Sequence, residues 1–320
     1  GAPRLRQAIA AKMKRHYAID LDPDREITVT CGATEAMMCA MLAVVEEGDE
    51  VIVFEPFYEN YVPDAAMSGA KLVFVTLTGE NFEFDPQELR AAFSERTRAI
   101  IVNTPNNPSG KVFTRAELQQ IASLCMEFDT LCITDEIYEH ILYDHHEHVP
   151  MATLPGMYDR TITISGLSKT FSVTGWRLGY LMAPPLLSDA LRKVHDFLTV
   201  GAPAPLQEAA AVAMEQADAY YPELRGMYAA KRKILLTALR EAGFDCHQPQ
   251  GAYYIMADFA RLRFEGSDTA FAHHLIQKVG VAPVPGSSFY RSGNGNQMVR
   301  FTFSKSEETL HEAARRLASM

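Results

Sequence analysis

Seven short β-rich runs alternate with helical patterns through the first two thirds of the chain, and this alternation constrains the fold more than any other feature. The runs are Ile27 to Cys31, Val51 to Phe54, Lys71 to Val75, Ala99 to Val102, Leu131 to Thr134, Thr161 to Ile164 and Leu178 to Met182. Helical stretches such as Thr34 to Glu47 and Arg115 to Phe128 separate several of them. Strands linked through helices pair in parallel, and a parallel sheet needs cover on both faces. The expected class is therefore α/β, a mostly parallel sheet covered by helices. From Pro205 the pattern changes to a helical run through Leu239, in which Pro222 is expected to cause a kink or a break near Tyr221. A strand-like Ala252 to Met256, a helix from Asp268 to Val279, a Gly/Pro/Ser loop near Pro285, a strand from Met298 to Phe303 and a closing helix from Glu307 complete the chain. This second part reads as a smaller C-terminal α+β domain, with the division placed at residues 1–225 and 226–320.

Composition narrows the function. With 48% hydrophobic and 22% charged residues in 320, the chain can bury a core of this kind as an ordinary soluble protein. A formal charge of −10 opposes binding to nucleic acid, which relies on a basic surface to release counterions. No apolar span is long enough for a transmembrane helix, so no membrane role is expected. The five cysteines are odd in number and form no Cys-x-x-Cys pair, which fits reduced thiols in a cytoplasmic protein and gives no metal site.

Each of five runs ends in an unusual polar loop. Gly32-Ala-Thr34 follows the first, Pro56-Phe-Tyr58 the second, Asn103 to Gly110 the fourth, Asp135 to Tyr138 the fifth and Ser165 to Lys169 the sixth. In an open parallel sheet the carboxyl ends of the strands share one edge, where ligands bind, so these loops converge on one crevice. A lysine at such a strand end is partly desolvated and nucleophilic, and Lys169 has Arg177 shortly after it. An imine-forming amine beside a fixed cation suits a cofactor with an aldehyde and a phosphate, which is pyridoxal 5′-phosphate. The backbone of Ala33 and Thr34, opening a helix after a glycine, would hold the phosphate together with Arg177, Ser165 and Ser168. Asp135 would keep the pyridine nitrogen protonated, Asn107 and Tyr138 would bond the ring's phenolic oxygen, and Tyr58 would stack on the ring.

The strings Cys31-Gly-Ala-Thr-Glu-Ala36, Glu55-Pro-Phe-Tyr58, Asn103 to Lys111, Thr134-Asp-Glu-Ile-Tyr138, Ser165 to Arg177 and Val299-Arg-Phe-Thr-Phe303 together resemble class I/II aminotransferases of the fold-type I pyridoxal phosphate enzymes. The resemblance implies that Lys169 forms the internal aldimine and moves a proton between substrate Cα and the cofactor. It also implies that Arg300 binds the substrate α-carboxylate and that active sites lie at a homodimer interface. The chain opens on Gly1, and Gly1 to Ala10 looks like the interior of the family's early Gly-x-Pro-x-Leu-Arg helix, so an N-terminal segment is expected to be absent.

A C–S β-lyase or a cyclase would use the same lysine and aspartate, and a regulatory module could bind the cofactor without catalysis. A dinucleotide or nucleoside triphosphate site is opposed by the lack of Gly-x-Gly-x-x-Gly and of a P-loop. No Lys or Arg lies between Val194 and Leu224 to meet a second carboxylate. Tyr58, Tyr61, Tyr253, Tyr254 and Phe289 lie in or beside motif loops, which favours a neutral or aromatic amino donor of the kynurenine, glutamine and methionine transaminase type, with a 2-oxo acid as acceptor. His140, His145, His146 and His148 lie in a polar stretch that reads as a solvated surface loop with no assigned role.

Overall fold

The computed structural model describes residues 1–320. Helix α1 (Pro3–Tyr17) leads into β1 (Ile27–Thr30), α2 (Ala33–Val44), β2 (Glu50–Glu55), α3 (Tyr61–Ser68), β3 (Lys71–Thr78) and β4 (Glu83–Phe84). Then follow α4 (Pro86–Ala92), β5 (Thr97–Asn103), α5 (Arg115–Glu127), β6 (Leu131–Asp135), β7 (Thr161–Gly166) and β8 (Gly179–Met182). These strands form one sheet in the order β1-β8-β7-β6-β5-β2-β3-β4. Strands β3, β2, β5, β6 and β7 are parallel neighbours. Strand β8 runs against both β7 and β1, so β1 points the same way as the parallel five. The carboxyl ends that carry the motif loops therefore do share one edge.

Every residue of β1, β2, β7 and β8 is buried, which is why these segments read as nearly unbroken apolar runs. Helix α5 starts on a reciprocal capping box between Thr114 and Glu117. Helix α2 starts differently. Its N-cap is Gly32 in the left-handed region, and no side chain caps its first turn.

The chain continues through α6 (Pro185–Leu198), α7 (Ala204–Glu215) and α8 (Tyr220–Glu241). The break in the expected long helix falls between α7 and α8, ahead of Pro222 rather than at it. Pro222 lies in the first turn of α8, where the missing N–H has no intrahelical partner to lose. A second sheet, β11-β12-β10-β9, is built from β9 (Asp245–Cys246), β10 (Tyr254–Asp258), β11 (Val284–Pro285) and β12 (Met298–Thr302). Helix α9 (Asp268–His274), which passes into a π-helical turn to Val279, and α10 (Glu307–Leu317) accompany it. One apolar cluster joins Ile137, Tyr138 and Ile141 to α8, β10 and β12, so the loop after β6 is packed directly against the small sheet.

The histidine stretch is not a solvated loop. His140 is buried and stacks on Tyr221 with ring centroids 3.7 Å apart. The His148 side chain is also buried, its Nε2 2.8 Å from Glu136. Only His145 is exposed and His146 half-buried. The segment is held in place because Leu142 bridges Gly251 and the Tyr143 N–H donates to the Gln250 carbonyl. Burial rests on packing against distant residues, Tyr221 on His140 and Gly251 beside Leu142, as well as on the nearby Glu136, so local polarity misled the reading.

Candidate active site

A cavity of about 460 Å³ opens at the carboxyl edge of the large sheet. Of the eleven residues singled out in the sequence, ten line it. The exception is Ser165, whose hydroxyl donates to Glu139 Oε1 at 2.7 Å inside the protein. Glu139 also accepts from Tyr17 at 2.9 Å and pairs with the buried Lys12 amine. The carboxylate competes for the serine hydroxyl at close range, so Ser165 braces the loop instead of facing the cavity.

One end of the cavity is an anion cup. It combines the uncapped first turn of α2, with Ala33 and Thr34, and the Arg177 guanidinium, whose Nη2 lies 3.5 Å from Thr34 Oγ1. Free backbone N–H groups and the positive end of a helix make such a turn an anion site. Two glycines give it room. A Cβ on Gly32 would come within 2.6 Å of Arg177 Nη2, and one on Gly179 would overlap Ala33 N and Gly32 C. Behind the cup the buried Glu35 carboxylate accepts from the Cys31 N–H and from Thr199 Oγ1 at 2.6 Å, with His195 Nδ1 at 2.7 Å, which ties the turn to α6. Ser168 lines the cavity beside Lys169, and Thr174 closes the same side.

Deeper in, Asp135 is buried at the end of β6 and accepts from the Tyr61 hydroxyl at 2.9 Å and from the Ile137 N–H at 3.3 Å. Burial pushes its carboxyl up to about 6, against the pull of these donors and of Lys169. Lys169 shows the opposite shift. Burial lowers its amine below the ordinary range, with Arg177 and Arg300 acting in the same direction and Asp135 against them. A lysine in that state is neutral, and therefore nucleophilic, for more of the time. The Tyr138 hydroxyl shares a 3.0 Å hydrogen bond with Tyr254, and Tyr58 stands edge-on to Tyr61 at 5.7 Å.

On the far side Arg300, on β12, donates to Asn107 Oδ1 at 2.8 Å, and its guanidinium carbon lies 4.5 Å from the Tyr254 ring and 4.6 Å from Phe289. Held in this way, the planar fork is preoriented for a carboxylate. Asn107 is fixed in turn by Asn103, whose Oδ1 accepts from the Asn107 N–H at 2.7 Å and whose Nδ2 donates to the Asp135 carbonyl. Tyr253 lies in the core instead, in contact with Tyr138 and Tyr254.

The sequence reading missed Glu59, Asn60 and Asp64 on the cavity wall. Glu59 could have been suspected from its place after Pro56-Phe-Tyr58, but Asp64 carries no local signal, because only the packing of α3 turns it inward. The site fits pyridoxal phosphate through its own chemistry, with an uncapped anion cup, a desolvated amine and a buried carboxyl around one cavity.

Residues 1–317 match the family described as aminotransferase class I and II. The solved N-succinyldiaminopimelate aminotransferase from Mycobacterium tuberculosis is 43% identical, covers 100% of this chain and is covered over 84% of its own, with a TM-score of 0.97. A solved methionine aminotransferase of Escherichia coli is 38% identical over 100% of this chain and 84% of its own, at a TM-score of 0.96. Kynurenine–oxoglutarate transaminase of Dictyostelium discoideum is 37% identical over 98% of this chain and 80% of its own. Among the reactions that a lysine–aspartate pair of this kind can serve, these relatives select amino transfer over elimination or cyclisation. By its family match along nearly its full length and its likeness to these solved structures, the chain belongs to the class I and II aminotransferases and is a pyridoxal-phosphate-dependent transaminase.

Proposed function

We propose that this transaminase takes the amino group of a neutral or aromatic L-amino acid and passes it to a 2-oxo acid, with Lys169, Asp135 and Arg300 as its principal residues. Pyridoxal phosphate, when bound, supplies an aldehyde that condenses with amines and a ring that draws electrons from the substrate Cα. In this reading the α2 cup, Ser168 and Arg177 bind the phosphate, and Asp135 holds the ring nitrogen protonated. Asn107 and Tyr138 bond the phenolic oxygen, and Tyr58 covers the ring. Lys169 would hold the cofactor through its aldehyde and, once displaced by the substrate's amine, would as a free amine carry the proton from Cα to the cofactor. Arg300 grips the α-carboxylate and so orients the Cα–H bond.

The observation that carries the reading is that a lysine after β7, an aspartate at the end of β6 and an arginine on β12 line one cavity although they lie far apart in sequence. The donor class is supported by Tyr58, Tyr61 and Tyr254 on the wall, and by Glu59, whose carboxylate lies 3.8 Å from Arg300 and would repel a second acid group. A more acidic donor is the second reading, favoured by the 43% identity to the N-succinyldiaminopimelate enzyme. Initial rates across neutral, aromatic and dicarboxylic donors separate the two. Borohydride reduction of the holoenzyme should label Lys169 alone, and label on Lys111 or Lys193 would overturn its role. Lys111 is already paired with Glu117 at 2.7 Å.

We place the small domain at residues 226–320, with α8 running unbroken through the boundary. A homodimer is supported by Leu186, Phe197 and Val200, which are 83%, 91% and 77% exposed on α6 and the turn beyond it. That turn adjoins the cup, since the Cys31 thiol donates to the Gly201 carbonyl at 3.8 Å. No helix is long and apolar enough to cross a membrane, and five free cysteines support a reducing, cytoplasmic setting.

A further inference from the structure

Asp64 is a carboxyl that the roles above do not use. It lies on α3 one turn after Tyr61, so both side chains face the wall that carries Asp135. It is 2% exposed, and its Oδ2 has no hydrogen-bond partner. Helix α2 and strand β3 pack near α3 through Met37, Met41, Leu72 and Phe74, which offer it nothing polar. The titratable groups that bear on it are Asp135 from β6 and the hydroxyls of Tyr58 and Tyr61. No cation compensates it there, whereas Asp135 has Lys169. Two neighbouring buried carboxyls do not both ionise readily, and they titrate as a pair.

We propose that Asp64 is a positioning residue that keeps its own proton while Asp135 is ionised, so that the ring-nitrogen end of the cavity presents one negative charge rather than two. The inference rests on Asp135 meeting the ring nitrogen. Burial, and then Asp135, push the Asp64 carboxyl up to about 7, so it changes charge in the neutral range. While Asp135 is ionised and Asp64 keeps its proton the pair is singly charged. Above that range the second carboxylate adds to the hold on a protonated ring, so the strength of the cofactor's electron sink follows the state of Asp64.

Cofactor affinity of the apo protein, measured by equilibrium dialysis from about pH 5.5 to about pH 8.5, tests this in the wild type, Asp64→Asn and Asp135→Asn. The wild type and Asp64→Asn should bind equally at the acid end, and the wild type roughly tenfold more tightly at the alkaline end, the factor that a one-unit mutual shift produces. A ratio that does not change with pH overturns the inference. If Asp135→Asn binds and absorbs like the wild type throughout, the ring-nitrogen reading fails first and the inference falls with it. Infrared difference spectra of the apo protein between the same pH values give a readout independent of the cofactor. One fewer neutral carboxylic acid should titrate in Asp64→Asn, and an unchanged band would refute the proton on Asp64. If Asp64→Asn does not fold, Asp64→Ser serves in its place.

Discussion

Replacing Gly179 with alanine tests the anion cup without touching any charged group. Gly179 on β8 pairs with Thr30 on one side and Gly166 on the other, and its α-carbon faces the turn that opens α2. An added Cβ would overlap Ala33 N and Gly32 C and lie 2.9 Å from Gly32 O. All three contacts are backbone atoms of the cup's own turn, and β8 is fixed in the sheet, so the turn has to yield. Restoring ordinary contact takes a shift of about 1 Å, which stretches an N–H to phosphate bond past its useful length. Each hydrogen bond to a charged group contributes about 1.5–3 kcal/mol, so losing one weakens cofactor binding by roughly ten- to a hundredfold. Titrating the apo protein with pyridoxal phosphate, followed by the fluorescence of the single tryptophan, Trp176, beside Arg177, measures the loss. Binding of pyridoxal without the phosphate should change little, because only the phosphate uses the cup. Unchanged phosphate affinity in a variant that melts like the wild type would refute the placement of the phosphate.

Asp135→Asn should retain bound cofactor, since the phosphate contacts persist, and should lose most turnover because the ring nitrogen is no longer held protonated; near-normal kcat would contradict the role. Arg300→Lys should raise KM for amino acids and 2-oxo acids alike without altering the resting absorbance, because a lysine cannot replace the fork held by Asn107, Tyr254 and Phe289. Equal damage with simple amines would show that Arg300 does not read the carboxylate. In the apo protein the Asp135 carboxyl lies near 6 against about 4 in the unfolded chain, so between those values the native state holds a proton that the unfolded chain has lost. Stability should therefore fall as pH rises from about 4 to about 6, by about 3 kcal/mol for this group, and the slope should flatten in Asp135→Asn when melting is followed across that range.

The large sheet was legible because its strands are buried on both faces and so carry runs of apolar residues, such as Ile162 to Ile164, with a polar loop at each carboxyl end. Lys169, Asp135 and Thr34 were found through those strand ends. The break expected near Tyr221 falls a few residues earlier, at 216–219, which leaves Pro222 in the first turn of α8, where a proline costs no intrahelical hydrogen bond. Ser165 was misassigned because its hydroxyl faces Glu139, which sits next to Lys12 from α1, and a contact across that separation leaves no trace in the local pattern.

By itself, the sequence determined the α/β class, the common edge of the loops and the chemistry available there, because strand burial and turn chemistry are written within a few residues of each element. The tertiary structure alone decided which groups meet. It turned Asp64 and Tyr61 toward Asp135 and clamped Arg300 between two aromatic rings. It also drew His140 and His148 into the interior beside charged partners. These outcomes follow from long-range packing, in which the cost of burying a polar group is set by what lies opposite it in space.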